Sequence, residues 1–428
     1  MTLTPFKSIA SVVGCMDGYD PNALRVDKAS EAIRSCLTPV GGFERVAVRS
    51  ALGRVLAEDI VPAIDVPAHD NSAMDGYALR AADLGDGETV LKEAGIALAG
   101  KKFAGTLSAG ECVRVMTGAV MPAGADTVVI QEITRSENGR IVIPAEQKKG
   151  QNVRAAGEDL KTGVPVLRAG HALRPAELGL IASLGIAEVM VKRRLRVAFF
   201  STGDELASVG SPLAEGQVYD SNRYTLYGML ARLGVEILDM GVVKDDPALL
   251  EAALTTAAQN ADVIITSGGV SVGEADYIKA LMAKLGEVLF WKIAMRPGRP
   301  MAFGRIDAGG ASAWLFGLPG NPVAVMVTFH QFVRDALLHL SGRIGDYAIA
   351  HLRVPCAAAM RKVPGRTEYQ RAILFNESGV WRVRLTGQQG SGVLRSMSEA
   401  NCFVVLEHDR ASINAGELVS VQLFEGLV

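Results

Sequence analysis

The sequence predicts a multidomain chain of α/β plus β class. A doubly wound, mostly parallel α/β domain is accompanied by an inserted β domain, a mixed α/β segment and a C-terminal β-barrel. Three observations predict it. From Leu195 to Leu340 apolar strand-length runs alternate with helix-length segments, the pattern of a parallel sheet with helices on both faces. Residues 61–159, and those beyond Ile349, show short β-rich runs separated by Gly, Pro and Asn turns. Finally, 428 residues at 49% hydrophobic content exceed what one core organises.

Taken in order, Val12-Val13-Gly14-Cys15 has the look of a lipoprotein cleavage box, but the stretch behind it is too short for a signal-peptide core. An unstructured start is expected. Residues 21–60 carry a helical pattern, with Ala29, Ala32, Ile33 and Cys36 on one face, then a strand from Arg45 to Val48. Residues 160–192 repeat that texture with a β stretch, Val164 to Leu167, and a helix from Pro175 to Leu184 opened by proline. The expected division is therefore 21–60 with 160–192 as the mixed segment, 61–159 as the inserted β domain, 193–345 as the α/β domain and 346–428 as the barrel. Within 193–345, strands are expected at 197–201, 235–243, 262–266, 288–293, 301–306 and 314–317, and helices at 221–233, 247–258, 276–285 and 321–340. A hairpin is expected across Asn376-Glu377-Ser378-Gly379.

The totals exclude several classes. Lys plus Arg number 44 against 46 Asp plus Glu, a net charge of -2, so no basic field recruits nucleic acid or an anionic membrane. No stretch reaches the ~20 apolar residues of a membrane helix. The five cysteines are scattered, without C-x-x-C or zinc spacing, which reads as a reducing cytoplasm.

The richest stretch is 261–276, Ala-Asp-Val-Ile-Ile-Thr-Ser-Gly-Gly-Val-Ser-Val-Gly-Glu-Ala-Asp. A β-branched strand runs into a Ser/Gly turn, and paired acids, Glu274 and Asp276, open the next helix. Glycines let a ligand approach the backbone, helix N–H groups face an anion, and the acids point to Mg²⁺ carried in with a phosphate. Ligands of doubly wound sheets sit beyond the carboxyl ends of the strands. There the chain also places Ser201-Thr202-Gly203-Asp204-Glu205, Tyr219-Asp220-Ser221-Asn222 and Asp245-Asp246-Pro247. Helix capping accounts for such acids singly, and Asp220, Ser221 and Asp246 are expected to cap. Four acidic ends on one rim point further, to a metal and phosphate site.

Next on that rim, Lys292, Arg296 and Arg299 stand in a loop fixed by Pro297, Gly298 and Pro300, donors suited to phosphate or an oxyanion, or simply a solvated turn. Pro319-Gly320-Asn321-Pro322 leads into the last helix, with Asn321 placed as N-cap. In the inserted domain, His69-Asp70-Asn71-Ser72-Ala73-Met74-Asp75-Gly76-Tyr77 and Arg154 to Asp159 are dense in polar groups. Asx turns explain them equally well. No Ser-His-Asp arrangement is recognisable.

Taken together, Asp70 to Tyr77, Arg154 to Asp159, Ser201 to Leu206, Thr266 to Tyr277, the Pro-Gly-x-Pro loop and Gly317 to Pro322 resemble the molybdopterin molybdenumtransferase family, in order and over nearly the whole chain. The resemblance implies a molybdopterin-binding type α/β domain and a cytoplasmic homodimer. It implies insertion of molybdenum from molybdate into adenylyl-molybdopterin, with Mg²⁺ as cofactor and release of AMP. Transient contact with the adenylyltransferase and with acceptor molybdoenzymes would follow. Glu205, Asp245 and Asp276 are then the metal candidates; Asp75, Asp159, Glu205, Asp276 and Lys292 are the catalytic ones, with Asp75 and Asp159 reaching the site across the dimer interface. Substrate binding falls to Thr202, Gly203, Ser267, Gly268, Gly269, Ser271, Gly273, Arg296, Arg299, Pro319 and Asn321, completed by Arg366, Arg371 and Ser391. Family members often carry lysines where this chain has Arg296 and Arg299, a change that matters where geometry counts.

Two other functions fit parts of the sequence. A molybdopterin adenylyltransferase shares the α/β unit, but its glycine turn usually continues Gly-Gly-Thr-Gly, where this chain reads Gly-Gly-Val-Ser-Val-Gly. A non-catalytic gephyrin-like scaffold would use the same architecture with a fused domain or a long linker.

Overall fold

The computed structural model describes residues 8–14, 16, 19–269, 276–345 and 347–428, with the side chains of residues 276–278 outside the description. Contacts divide the chain into two compact units, Met1–Glu44, Gly53–Val55 and Val191–Val428 in one, Arg45–Leu52 and Leu56–Met190 in the other.

The start of the described chain is helical. Helix α1 (Ile9–Gly14) begins where Ser8 Oγ and the N–H groups of Ile9 and Ala10 donate to the Glu287 carboxylate at 2.5, 2.9 and 2.8 Å. Ile9 and Val13 are buried in the core of the first unit, so the expected unstructured start is corrected for these residues. A carboxylate far away in sequence supplies the cap, and nothing local announces it. Helix α2 (Val26–Cys36) buries Ala29, Ala32 and Ile33, the face its periodicity predicts. It packs into the same core as the α/β sheet rather than with residues 160–192. The 21–60 segment therefore splits. Its second half stays with 160–190 in the other unit, where Leu56 N–H donates to His171 O at 2.9 Å and Ile60 bridges Leu167.

That second unit contains β1 (Asn71–Ser72), β2 (Gly76–Leu79), β3 (Thr89–Ala97), β4 (Glu111–Val115), β5 (Thr127–Ile130), β6 (Arg135–Glu137), β7 (Arg140–Ile143), β8 (Val153–Arg154) and helix α3 (Pro175–Ser183). Six of the strands form one sheet in the order β5-β2-β4-β3-β7-β6. Alternation decides which side chains go to which face: Ala78, Val113 and Val128 enter one cluster, Leu79, Cys112 and Val129 the other. The short antiparallel pair β1 and β8 matches Asn71 with Arg154 and Ser72 with Val153. It brings the two polar motifs of this unit side by side.

The first unit carries a six-stranded sheet. Its elements are β9 (Arg196–Thr202), α4 (Ser221–Arg232), β10 (Glu236–Val243), α5 (Pro247–Asn260), β11 (Val263–Ser267), α6 (Asp276–Leu285), β12 (Gly286–Lys292), β13 (Met295–Arg296), β14 (Pro300–Ala308) and β15 (Ala311–Leu318). The sheet order is β10-β9-β11-β15-β14-β12, with β13 standing outside it. The first four strands are mutually parallel, and β14 pairs antiparallel with both β15 and β12. All five residues of β11 are buried, as a β-branched strand covered on both faces requires. Val197, Phe199, Val263, Ile265 and Phe316 face α4 and the last helices of the domain, whereas Ala198, Phe200, Ile264 and Leu315 face α5 and α6. Asp262, at the start of β11, takes the Arg193 guanidinium fork at 2.7 Å on both oxygens and Arg196 N–H at 2.8 Å. Burial raises its pKa, but these donors outweigh that and hold the carboxyl below its ordinary range.

The expected helix 321–340 is α7 (Pro322–Thr328) and α8 (Arg334–Leu340) joined through a wider π turn, Phe329–Val333. The chain ends with β16 (His351–Pro355), β17 (Thr367–Glu377), β18 (Val380–Leu385), helix α9 (Arg395–Glu399), β19 (Cys402–Leu406) and β20 (Leu418–Leu423). These strands pair in the order β13-β17-β19-β20-β16, with β18 on β17 and a bridge from Cys356 to Val383. The expected hairpin is present: Glu377 pairs with Val380, and Gly379 N–H donates to Asn376 Oδ1 at 2.9 Å.

His330, in the π turn, packs edge-on to Phe403 and Phe424 at 5.4 and 6.3 Å between ring centres, so the last helix and the C-terminal strands share one core. Burial, aided by Arg334, pushes its pKa down to about 3. An unfolded chain holds histidine near 6.5, so below about pH 6.5 only the unfolded state takes up this proton. Stability from this group is full above pH 6.5 and falls by about 1.4 kcal/mol per unit as pH drops toward the folded value. Urea unfolding at pH 7 and pH 5 is expected to show wild type losing about 2 kcal/mol more than His330→Gln over that interval. Equal losses would contradict the assignment.

Candidate active site

Register builds the site before any side chain does. Ser201 pairs with Ser267, and Ser267 with Leu318, so β9, β11 and β15 end on one level. Their following loops, Thr202–Glu205, Gly268–Gly269 and Pro319–Asn321, therefore open onto one rim, joined by Asp245 beyond β10. The glycines are there for space. A Cβ on Gly268, whose φ is +92°, would stand 2.6 Å from the Thr202 carbonyl oxygen, and one on Gly203 would collide with the Glu205 carboxylate.

One side chain ties the rim together. Asn222, in the first turn of α4, donates from Nδ2 to Ser267 Oγ at 2.8 Å and to Gly320 O at 2.7 Å. Asp220 caps α4 by accepting from Arg223 N–H at 3.2 Å, and Ser201 Oγ donates to the same oxygen at 3.0 Å. Asp246 caps α5 through the N–H groups of Ala248 and Leu249, at 2.9 and 3.0 Å. The capping expected of these two acids is present. Asn321 occupies the N-cap position of α7 but its side chain closes no cap. It lines the cavity instead.

The cationic side comes from the β12–β14 connection and from the segment that enters the C-terminal strands. Met295 and Arg296 pair with Thr367 and Glu368, and Thr367 N–H donates to Ala294 O at 2.9 Å, which sets Arg366 beside the Arg296–Arg299 loop. Val323 N–H donates to Ser391 O at 3.2 Å, holding the 389–391 loop at the start of α7. The result is a cavity of about 970 Å³. Glu205 and Asp245 line it together with Arg296, Arg299 and Arg366. All five are exposed.

Of the expected site residues, Thr202, Gly203, Glu205, Asp245, Ser267, Gly268 and Gly269 line this cavity from the acidic rim. Arg296, Arg299, Pro319, Asn321, Arg366 and Ser391 line it from the remaining loops. Ser271, Gly273 and Glu274 lie outside the described residues, as does the side chain of Asp276, which begins α6. Among the described residues, no three His, Cys, Asp or Glu side chains gather closely enough to hold a metal.

Two expectations are corrected. Lys292 does not line the cavity; it ends β12 opposite Pro300, with its backbone bonded to Pro21 and Leu24. Arg371 is 1% exposed. Its guanidinium donates to Ser396 Oγ at 3.0 Å and Gly390 O at 2.8 Å, so it holds the loop that lines the cavity rather than lining it. Burial lowers its pKa to about 10, with repulsion from Arg296 adding to the effect. Asp75 and Asp159 belong to the second unit. Asp75 Oδ1 accepts from Thr117 N–H and Oγ1, each at 2.7 Å, and these bonds hold its carboxyl below the ordinary range.

Sequence reasoning gave no ligand role to Asn222, Met295, Gly298 or Gln389, all of which line the cavity. Asn222 was visible only as part of a helix-start motif. Met295 and Gln389 carry no local signal, since a long-range strand pairing and a loop anchored by Arg371 place them.

Comparison with known proteins agrees with this architecture. Residues 24–185 match the MoeA N-terminal region (domain I and II), residues 198–339 a probable molybdopterin binding domain, and residues 353–424 the MoeA C-terminal region (domain IV). The molybdopterin molybdenumtransferase of Haemophilus influenzae is 44% identical over 407 residues, 95% of this chain and 100% of that protein. That of Nostoc sp. is 37% identical over 384 residues, 88% of each. The crystal structure of a molybdopterin biosynthesis moeA protein from Pyrococcus horikoshii OT3 shares the multidomain α/β fold with a TM-score of 0.81 at 29% identity, covering 94% of this chain and 100% of that one. The chain belongs to the molybdopterin molybdenumtransferase family.

Proposed function

We propose that this chain inserts molybdenum from molybdate into adenylyl-molybdopterin, with Mg²⁺-dependent release of AMP, to form the molybdenum cofactor. The observation that carries the reading is one cavity lined by carboxylates from the β9 and β10 loops and by arginines from the β12–β14 connection and the C-terminal strands. A substrate with a pyrophosphate link and a tetrahedral dianion needs both. Molybdate is cargo here, and the sulfurs that receive the metal belong to the substrate's dithiolene, which agrees with the four cysteines among the described residues, Cys36, Cys112, Cys356 and Cys402, being buried or half-buried rather than paired.

Glu205 and Asp245 are hard oxygen donors on the same cavity, a set that fits Mg²⁺ bound through few carboxylates and several waters. Asp276, at the start of α6, is the third candidate. Bound there, Mg²⁺ would neutralise phosphate oxygens as the anhydride is cleaved. Arg296, Arg299 and Arg366 take the oxyanion as charge-assisted donors, while Gly268, Gly269 and Ser267 admit the phosphate to the backbone. We assign Asp75 and Asp159 to the same reaction, delivered by a second copy of the chain in a homodimer. Operation in the cytoplasm, transient contact with the adenylyltransferase and acceptor molybdoenzymes, and closure of the C-terminal strands into a small barrel belong to the same reading. The regions matched on both sides of the molybdopterin-binding domain disfavour a lone adenylyltransferase, and an acid-lined cavity has no use in a scaffold.

Purified protein given adenylyl-molybdopterin, molybdate and Mg²⁺ is expected to release AMP only when molybdate is present, and Asp276→Asn to slow that release by at least ~100-fold. Release without molybdate, or an unaffected variant, would sink the mechanism; adenylylated product from ATP and free molybdopterin would establish the adenylyltransferase instead. In the same assay Arg299→Ala should raise the molybdate concentration giving half-maximal rate by ~10-fold or more, with Arg299→Lys intermediate. An unchanged molybdate dependence in both would remove the oxyanion role of this loop.

A further inference from the structure

Lys362 stands in the connection from β16 to β17 and is 6% exposed, an unusual burial for an ammonium. Its donors go to backbone carbonyls: Arg410 O at 2.8 Å, His408 O at 3.1 Å and, at the long end, Val363 O at 3.5 Å. Two of these carbonyls belong to the turn between β19 and β20, so the side chain clamps one connection onto another. Burial pushes the pKa of the group down, Glu368 leads the acids that oppose this, and Arg366 is near enough to add repulsion. The His408 carbonyl also accepts from Gly365 N–H at 2.9 Å, and Thr367 N–H donates to Ala294 O at 2.9 Å. Arg366 is the single residue between these two anchors, and it lines the cavity. Val363, Pro364 and Gly365 are exposed, so apolar packing does not secure the turn that delivers it.

We infer that Lys362 is a positioning residue for oxyanion binding: its ammonium holds the 363–365 turn against the 408–410 turn and thereby sets Arg366 in the cavity. This deepens the proposed function and rests on it through the oxyanion role of Arg366. Carbonyl oxygens gathered at one buried point need donors, and a single ammonium supplies three. An apolar side chain there would leave them unmet, and the turn would move outward to reach water. Gly365 N–H would then part from His408 O, and Arg366, the next residue, would be presented from a different place. Arg371 holds the 388–390 loop by the same device, a buried cation given to the carbonyls of Gln388 and Gly390. A clamp that served only the stability of the C-terminal strands would leave the ligand indifferent to the charge of Lys362, and that difference can be measured.

The test is calorimetric titration of the full chain with molybdate, comparing wild type with Lys362→Met, Lys362→Gln, Arg366→Ala, Ser412→Ala and the Lys362→Met/Arg366→Ala pair. Lys362→Met keeps an unbranched stem and removes charge and donors; Lys362→Gln keeps two donors and carries the comparison if the first does not fold. Ser412→Ala is the structural control: Ser412 Oγ accepts from Lys362 N–H at 3.2 Å, so its loss weakens the same connection without touching the ammonium. Lys362→Met and Arg366→Ala are each expected to weaken molybdate binding ~10-fold, the pair no more than Arg366→Ala alone, and Lys362→Gln ~3-fold. Ser412→Ala is expected to lower the melting temperature and leave the affinity unchanged. The inference is overturned by unchanged affinity in the folded Lys362 variants, by losses that add in the pair, by an equal loss in Ser412→Ala, or by wild type that binds no molybdate. Wild type that binds molybdate yet releases no AMP from adenylyl-molybdopterin would defeat the proposed function alone. AMP release by wild type, with Lys362 variants at wild-type molybdate affinity, would defeat this inference alone.

Discussion

In-register parallel pairing is the constraint on which the site depends. Because Ser201, Ser267 and Leu318 lie in one row, three strands release their chains at the same height, and every following loop must solve the same steric problem on the same rim. A one-residue slip of β11 would turn Ile264 toward the face now taken by Val263 and Ile265, and both faces are filled. The cores that fix the register therefore also fix where Thr202, Gly268 and Pro319 emerge. Asn222 then converts a common height into a common structure, since one amide reaches both the β11 end and the β15 loop.

Charge follows the same division. The acids of the cavity come from loops after β9 and β10, whereas the arginines come from the β12–β14 connection and from the strand that pairs with β13. Neither group depends on the net charge of -2. Arg371 shows how far the arrangement is supported from behind: a guanidinium with 1% exposure, solvated by Ser396 and by loop carbonyls, keeps Gly390 and its neighbours in place. A buried cation held this way is costly, and breaking its contacts would release the loop rather than remove a ligand contact.

Much of this was legible in the sequence for identifiable reasons. The β-branched run of β11 and the amphipathic face of α2 are local signals, and local physics read them correctly. Asp220 and Asp246 were readable as caps because capping is decided within one turn. Where the decisive contact is remote, reading failed. The ordering of α1 depends on Glu287, well over two hundred residues away. The separation of α2 from residues 160–190 depends on which core offers it more apolar surface, and Lys292 and Arg371 looked like ligand residues because charge is visible in a sequence while burial and direction are not. A lysine three residues from the cavity loop and one inside it read alike.

The same reasoning explains why Asn222 was overlooked and why it matters. An Asp-Ser-Asn run before a helix satisfies capping statistics with its first residue alone, so the third seems redundant. In the fold, Asp220 does the capping, and Asn222 spends both amide hydrogens on loops remote from it in sequence. Its oxygen is then left over by geometry. Capping and rim assembly thus draw on neighbouring residues: the acid gives one oxygen to the helix, and the amide gives its nitrogen to the rim. Both sets of bonds are made within the fold, so the same few residues that start the helix also set the height and spacing of the rim.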